Sequence, residues 1–189
     1  MSRASFDPKI YDLLETLQPK AFAGEVFRAV PEGANPLTFS SGGGRWGLPS
    51  RDPSATSILY TSKTFDGALA EVSSYYKLLT PLPSKPLVVH RIGIVLQRVL
   101  TLDMSLIARL DVDEDAYSGR PYLDPPSRTQ EIGATVSFLG FDGLQAPSAR
   151  FATDNLMIMG DNFAFDGRLE VLEAKSVDWQ SWADANLRG

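Results

Sequence analysis

Residues 87–102, Leu-Val-Val-His-Arg-Ile-Gly-Ile-Val-Leu-Gln-Arg-Val-Leu-Thr-Leu, constrain the fold more than any other stretch of this chain. A run so rich in Val, Ile and Leu predicts one long β-strand or two short ones, because branched side chains suit a pleated surface. His90, Arg91 and Arg98 interrupt it. No uncharged apolar stretch approaches the ~20 residues that a membrane-spanning helix needs.

The elements around this run do not alternate regularly. Asp7-Pro8 is a good helix start, an N-cap with proline at the first helical position. Ile10, Leu13, Leu14 and Leu17 follow at helical spacing, and Pro19 stops the pattern. Residues 25–30 and 57–62 read as short strands, separated by a Gly-, Pro-, Ser- and Asn-rich segment from Pro31 to Thr56. Segments of that length without secondary structure are usually functional or disordered. Residues 64–79 gather Ala68, Leu69, Val72, Tyr75, Tyr76 and Leu79 on one helical face. A short helix followed by an acidic loop is expected over Asp103–Asp115. Ser127 with Gln130 fits a capping box for a helix to about Leu139, stopped by Gly140. Strand-like pieces follow at 143–147, 155–159 and 168–175, then a tail helix with Trp179 and Trp182, read as terminal packing or an oligomer contact. With 189 residues, the chain fits one domain. The expected fold is a single mixed α+β domain. Residues 1–24 are expected to be a helical extension, 25–175 the main body and 176–189 the tail.

Composition removes several chemistries. The chain has no Cys and one His. It therefore lacks disulfides, thiolate catalysis, Cys-ligated zinc and iron–sulfur clusters. Any metal site needing two imidazoles is excluded, and Ser-His-Asp catalysis has one possible base, His90. That residue keeps parity with Val88, Ile92, Ile94 and Leu96 and reads as structural. A net charge of −5 argues against broad binding to a nucleic-acid backbone. The start, Met1-Ser2-Arg3-Ala4-Ser5-Phe6-Asp7, has no apolar run of a signal peptide. A soluble cytoplasmic protein with no membrane contact is the expectation.

Two motifs fail on context. Gly42, Gly44 and Gly47 satisfy G-x-G-x-x-G, but Leu48-Pro49-Ser50-Arg51-Asp52-Pro53 cannot open the helix that a dinucleotide fold requires. The glycines still allow a ligand to approach the backbone closely. Asp111, Asp113 and Asp115 imitate a calcium loop, yet Ala116 and Tyr122 occupy the positions of its glycine and closing glutamate. No metal site is expected.

What remains is a set of polar residues in apolar context. Arg28 sits in Val26-Phe27-Arg28-Ala29-Val30, and Arg45 in Gly42-Gly43-Gly44-Arg45-Trp46-Gly47. Tyr60 ends Ile58-Leu59-Tyr60, Glu71 lies in Ala68-Leu69-Ala70-Glu71-Val72, and Ser148 in Pro147-Ser148-Ala149-Arg150, ahead of Asn155-Leu156. In this order the chain resembles the RES-domain family, named for one arginine, one glutamate and one serine, here Arg28, Glu71 and Ser148. The resemblance spans roughly Glu25 to Glu173.

The resemblance implies a fold similar to ADP-ribosyltransferase domains and the activity of a bacterial toxin paired with a helix-turn-helix antitoxin. It implies NAD+ as substrate rather than bound cofactor, consumed by hydrolysis, phosphorolysis or transfer to protein. Arg28, Tyr60, Glu71 and Ser148 are then the catalytic candidates; Arg28, Arg45, Tyr60, Ser148 and Asn155 are the substrate-binding ones. The residue types suit that chemistry. Arginine offers a planar charged fork to a pyrophosphate, and Tyr60 a ring for the cationic nicotinamide. Breaking the N-glycosidic bond makes an oxocarbenium-like ribose that Glu71 can stabilise. Nicotinamide leaves neutral, so no general acid is needed. Two rivals remain open, a mono-ADP-ribosyltransferase and a non-catalytic nucleotide-binding module, as does a homodimer.

Overall fold

The computed structural model describes residues 7–124, 126–164 and 167–187. Helix α1 (Pro8–Thr16) starts as expected: the Asp7 carboxylate accepts from the Lys9 amide at 2.8 Å, and Ile10 and Leu14 are fully buried. Strand β1 runs over Lys20–Pro31. Residues 20–24, expected to belong to the helical extension, are therefore part of the sheet, with Lys20 opposite Val99 and Gly24 opposite Ile94. Lys-Ala-Phe-Ala-Gly has little intrinsic strand preference; it is extended because a long strand offers it an edge.

Residues 32–57 hold no helix; Ser40 bridges to Ile58, and Trp46 packs in the core beside Ile58 and Met157. Strand β2 (Ile58–Ser62) leads into α2 (Phe65–Tyr76), capped by the Thr64 hydroxyl accepting from the Gly67 amide at 3.1 Å. The aliphatic run is a single strand, β3 (Leu87–Thr101). Helix α3 (Met104–Arg109) follows. The expected acidic loop instead contains α4 (Glu114–Ser118), because Asp113 caps the Ala116 amide at 2.7 Å and two further acids favour the helix's positive end. Helix α5 (Arg128–Phe138) carries the expected box, with the Ser127 amide donating to Gln130 Oε1 at 2.9 Å. Strands β4 (Gly143–Pro147), β5 (Asp154–Met159) and β6 (Arg168–Val177) and helix α6 (Trp179–Asn186) complete the chain. Trp179 is terminal packing: it is buried, with its Nε1 donating to Pro83 O at 3.2 Å.

The six-stranded sheet has the order β1-β2-β5-β4-β3-β6, and β3 also pairs with β1. One edge of β3 takes β1; on the other, β6 runs along residues 87–95 and β4 takes over at 99–101. Five strands thus close into a ring, with β6 as an added outer strand. The β3–β4 pair is parallel and the others antiparallel.

Closure divides the side chains by parity. Val26, Leu59, Ile92, Ile94, Leu156 and Ile158 fill the inner face. On the outer face, Ile58, Leu144 and Met157 pack with Ile10, Leu14 and Ile132 of α1 and α5. Further along that face, Ala29 and Val89 pack with Ala68 and Leu69 of α2 and with Trp179 of α6. Truncating a fully buried leucine such as Leu69 costs about 2–5 kcal/mol, so α2 is firmly seated. That seating positions the site.

Candidate active site

Glu71 lies on α2, and the packing of Ala68 and Leu69 beneath sets its height over the sheet. The helix comes unusually close to the strands. A Cβ on Gly67 would fall 2.3 Å from Ser62 Oγ and 2.5 Å from Thr153 Cγ2, so only glycine permits this approach. Asn155 is paired with Ser62 of β2 on one side and Ala146 of β4 on the other. Ser148 sits just past β4, its amide donating to Thr153 O at 2.7 Å. Three strand ends and one helix therefore converge on a single carboxylate.

Ser148 Oγ donates to Glu71 Oε1 at 2.6 Å, and Asn155 Nδ2 donates to the same oxygen at 2.7 Å. The serine oxygen itself accepts from the Arg150 and Phe151 amides at 3.1 and 3.2 Å. Those two donors fix its proton toward the glutamate. Among the described residues Oε2 has no partner, so one oxygen anchors the carboxylate and the other remains for chemistry. Asn155 Oδ1 is buried without a partner.

Arg45 projects from the glycine loop and donates to Tyr117 O and, at 3.0 Å, to Gly119 O. Its guanidinium lies 5.2 Å from the Tyr117 ring centre and 5.5 Å from that of Tyr122. Burial makes Arg45 less basic than an exposed arginine, the nearby Arg150 charge adds to this, and the Glu71 carboxylate opposes it. It stays protonated. Glu71, Arg45 and Arg150 thus share one electrostatic neighbourhood.

The loop is held from below. Gln130 Nε2 donates to Gly44 O and Gly47 O, both at 3.0 Å, and a Cβ on Gly133 would lie 1.8 Å from Trp46 O. Gly43 (φ 89°) and Gly44 (φ 145°) occupy backbone conformations that disfavour other residues.

Tyr60 is half-buried beneath this loop, and its hydroxyl is enclosed, so that a Cβ on Gly44 would lie 2.6 Å from it. The hydroxyl faces the Trp46 and Gly47 amides without closing a well-formed hydrogen bond, and burial pushes the phenol well above its usual range. Tyr60 is therefore a neutral ring rather than an acid–base group.

Arg28 stands apart. Its strand neighbours Phe27 and Ala29 pack with α2, whereas Val26 belongs to the inner cluster, so parity sends Arg28 to the inner face. There its Nη2 donates to Thr38 O at 3.1 Å, and its Nη1 is buried with no partner. His90 lies directly across on β3, its Nδ1 likewise buried and unpartnered. The structure brings Glu71, Ser148 and Asn155 into contact and sets Arg45 and Tyr60 beside them. It does not bring Arg28 to Glu71, and it separates His90 from Ser148.

The site has further neighbours: Arg120 and Tyr117, which the sequence does not mark, and Arg150, which it marks only as a charged neighbour of Ser148. Arg150 donates to Ser118 O at 2.6 Å and Gly119 O at 2.9 Å; Arg120 donates to Tyr122 Oη at 2.9 Å and to Ser74 O at 3.0 Å. Tyr117 donates from its hydroxyl to Pro147 O, tying α4 to the end of β4. The one available signal was Arg150, two residues after Ser148. Among the described residues no carboxylate pairs with Arg45, Arg120 or Arg150. No group of three His, Asp or Glu side chains there is placed to hold a metal.

Fold and site together define a class, a mixed α+β domain in which serine and asparagine hold one carboxylate beside an arginine-rich rim. The RES domain profile matches residues 25–180, most of the chain, and the chain belongs to the RES-domain family. The structure is similar to a chain in the crystal structure of the M. tuberculosis MbcT–MbcA toxin–antitoxin complex. That match has a TM-score of 0.73 at 15% sequence identity and covers 95% of this chain and 98% of that one. No curated protein sequence matches. No helix among the described residues is long and apolar enough to cross a membrane.

Proposed function

We propose that this protein is the toxin of a toxin–antitoxin pair and acts by cleaving the nicotinamide–ribose bond of NAD+. The observation that carries this reading is the Glu71 carboxylate, held through Oε1 by Ser148 and Asn155 with Oε2 free. A fixed anion beside the anomeric carbon stabilises the oxocarbenium-like ribose that forms as the C–N bond breaks. The bonding pair leaves with nicotinamide, whose ring nitrogen was cationic and becomes neutral. Water or phosphate then adds to the ribose carbon and loses one proton.

The rest of the neighbourhood suits this substrate. Arg45, with Arg120 and Arg150 near it, presents guanidinium groups bonded to neutral oxygens rather than carboxylates, a setting receptive to a pyrophosphate. Tyr60 supplies a neutral ring for the nicotinamide, and Ser148 a hydroxyl within reach of the ribose. Arg28, with its unpartnered Nη1 on the inner face, is assigned a more distant anionic contact. Likeness to a chain of a toxin–antitoxin complex supports a protein antitoxin as partner, in this reading one of helix-turn-helix type.

Incubating the purified chain with NAD+ tests the proposal by chromatography of the products. Free nicotinamide with ADP-ribose or its 1-phosphate is expected. Radiolabel transferred to protein would replace this reading with mono-ADP-ribosylation, and bound but intact NAD+ would reduce the protein to a binding module.

A further inference from the structure

A second recess lies away from Glu71, where the helical layer ends on the outer face of β1, β3 and β6. Phe27, Phe65, Val89, Arg91, Glu173 and Lys175 line an open pocket of about 180 Å³. Phe27 and Val89 form its floor, and Phe65, the first residue of α2, stands edge-on to Phe27 with ring centres 6.3 Å apart at 75°. This floor is apolar and aromatic. The rim is charged and unevenly paired.

Arg91 already has two carboxylate partners, Glu25 at 2.7 Å and Glu173 at 3.1 Å. Lys175 has no carboxylate partner among the described residues. Its ammonium lies 5.5 Å from the centre of the Phe65 ring, at the mouth of the pocket. The volume decides between occupants. Small-molecule sites usually enclose about 300–1,000 Å³, so this recess suits one large side chain better than a nucleotide or cofactor. Protein interfaces are anchored by such aromatic side chains seated in pockets.

We propose that this pocket docks one aromatic side chain of a partner polypeptide, with an adjacent carboxylate of that partner pairing with Lys175. The ring fills the space over Phe27 and Val89 against Phe65, and the carboxylate supplies the partner charge that Lys175 lacks. The proposal uses none of the chemistry at Glu71.

Titration of the isotope-labelled full chain with acetyl-Phe-Asp-amide, followed by amide NMR, tests it. Shifts are expected at Phe27, Phe65, Val89 and Lys175, with the amides of Glu71 and Asn155 unmoved. Acetyl-Phe-Asn-amide, or the Lys175→Glu chain with the original probe, should bind about three- to fivefold more weakly, as for loss of one exposed ion pair. Lys175 is exposed, so its replacement leaves the fold intact. No shifts at millimolar probe, or equal binding of the Asp and Asn probes, overturns the proposal. Phenylacetate binding more tightly than the dipeptide would also overturn it, by identifying a small aromatic acid as the occupant.

Discussion

The two faces of the sheet hold their charged groups differently. On the outer face, Glu71 Oε1 accepts two side-chain donors, and Ser148 Oγ, itself held by two amides, is one of them. On the inner face, Arg28 Nη1 and His90 Nδ1 are buried opposite each other and neither has a partner. Burying polar groups is costly unless they are paired. The outer cluster meets that cost at Glu71 Oε1 and Ser148 Oγ, which are preorganised, and leaves Asn155 Oδ1 without a partner. The inner pair has not, and sets one cation across from an imidazole whose protonation it opposes. A carboxylate that must act on a transient cation belongs to the first kind of setting; a group that waits for a ligand's charge belongs to the second.

Removing the charge from the outer cluster while keeping its bonds gives the largest effect. In Glu71→Gln the new carbonyl oxygen still accepts from Ser148 and Asn155. The side-chain scaffold survives, and only the negative charge is lost. Nicotinamide release should fall by about 10²–10³-fold, the usual scale for one preorganised electrostatic contact, with the melting temperature unchanged. Turnover at the parent rate would remove Glu71 from the chemistry and erase the contrast between the faces.

The next effect tests whether the arginine loop belongs to the preorganised side. Gly133→Ala places a Cβ 1.8 Å from Trp46 O, and backbone has to move to make room. Overpacking of this kind costs about 1–3 kcal/mol, which for a domain of this size lowers the melting temperature by about 2–12 °C. Because Trp46 follows Arg45, the KM for NAD+ should rise as well. Gly42→Ala is the control in the same loop: the nearest atom to its Cβ would be 3.9 Å away, so melting temperature and KM should hold.

The outer site was largely legible in the sequence, and for a physical reason. Its residues lie on elements that announce themselves: Glu71 in the middle of an amphipathic helix, Ser148 after Pro147, Asn155 at the start of an apolar run. Family resemblance then joined positions that local patterns could not. What the sequence concealed was non-local. Ring closure depends on β3 offering one edge to β1 and the other to two different strands, and no window of residues encodes that register. The same closure sent Arg28 to the face opposite Glu71, although both had been grouped as catalytic candidates. Arg120 was hidden, and Arg150 reads in sequence only as a charged neighbour of Ser148, because the carbonyls they bond leave no mark on composition.

The inner pair predicts a smaller effect of unusual sign. Arg28 is half-buried with its Nη1 enclosed and unpartnered, and removing an unsatisfied buried donor relieves its desolvation cost. Arg28→Met should therefore leave the melting temperature equal or raised, while NAD+ binding by calorimetry weakens. A clear loss of stability would show that the bond to Thr38 O outweighs the unpartnered Nη1. Unchanged affinity would confine substrate recognition to the outer face.

The smallest effect is a slope rather than a step. Burial lowers the His90 pKa, and the Arg28 charge lowers it further. The unfolded chain therefore takes up the proton first as pH falls through about 6.5, the ordinary histidine value. Stability contributed by neutral His90 is fully present above that pH and is lost as pH falls through the lowered folded value. Melting curves from pH 7.5 to 5 should show a decline that His90→Gln flattens. The lowering has two causes, and Arg28→Met removes the charge while leaving the burial. In that variant the decline should shrink without vanishing. An identical slope in the parent and in Arg28→Met would mean that the imidazole does not sense the guanidinium, and that the inner face holds two separate unpartnered groups rather than one coupled pair.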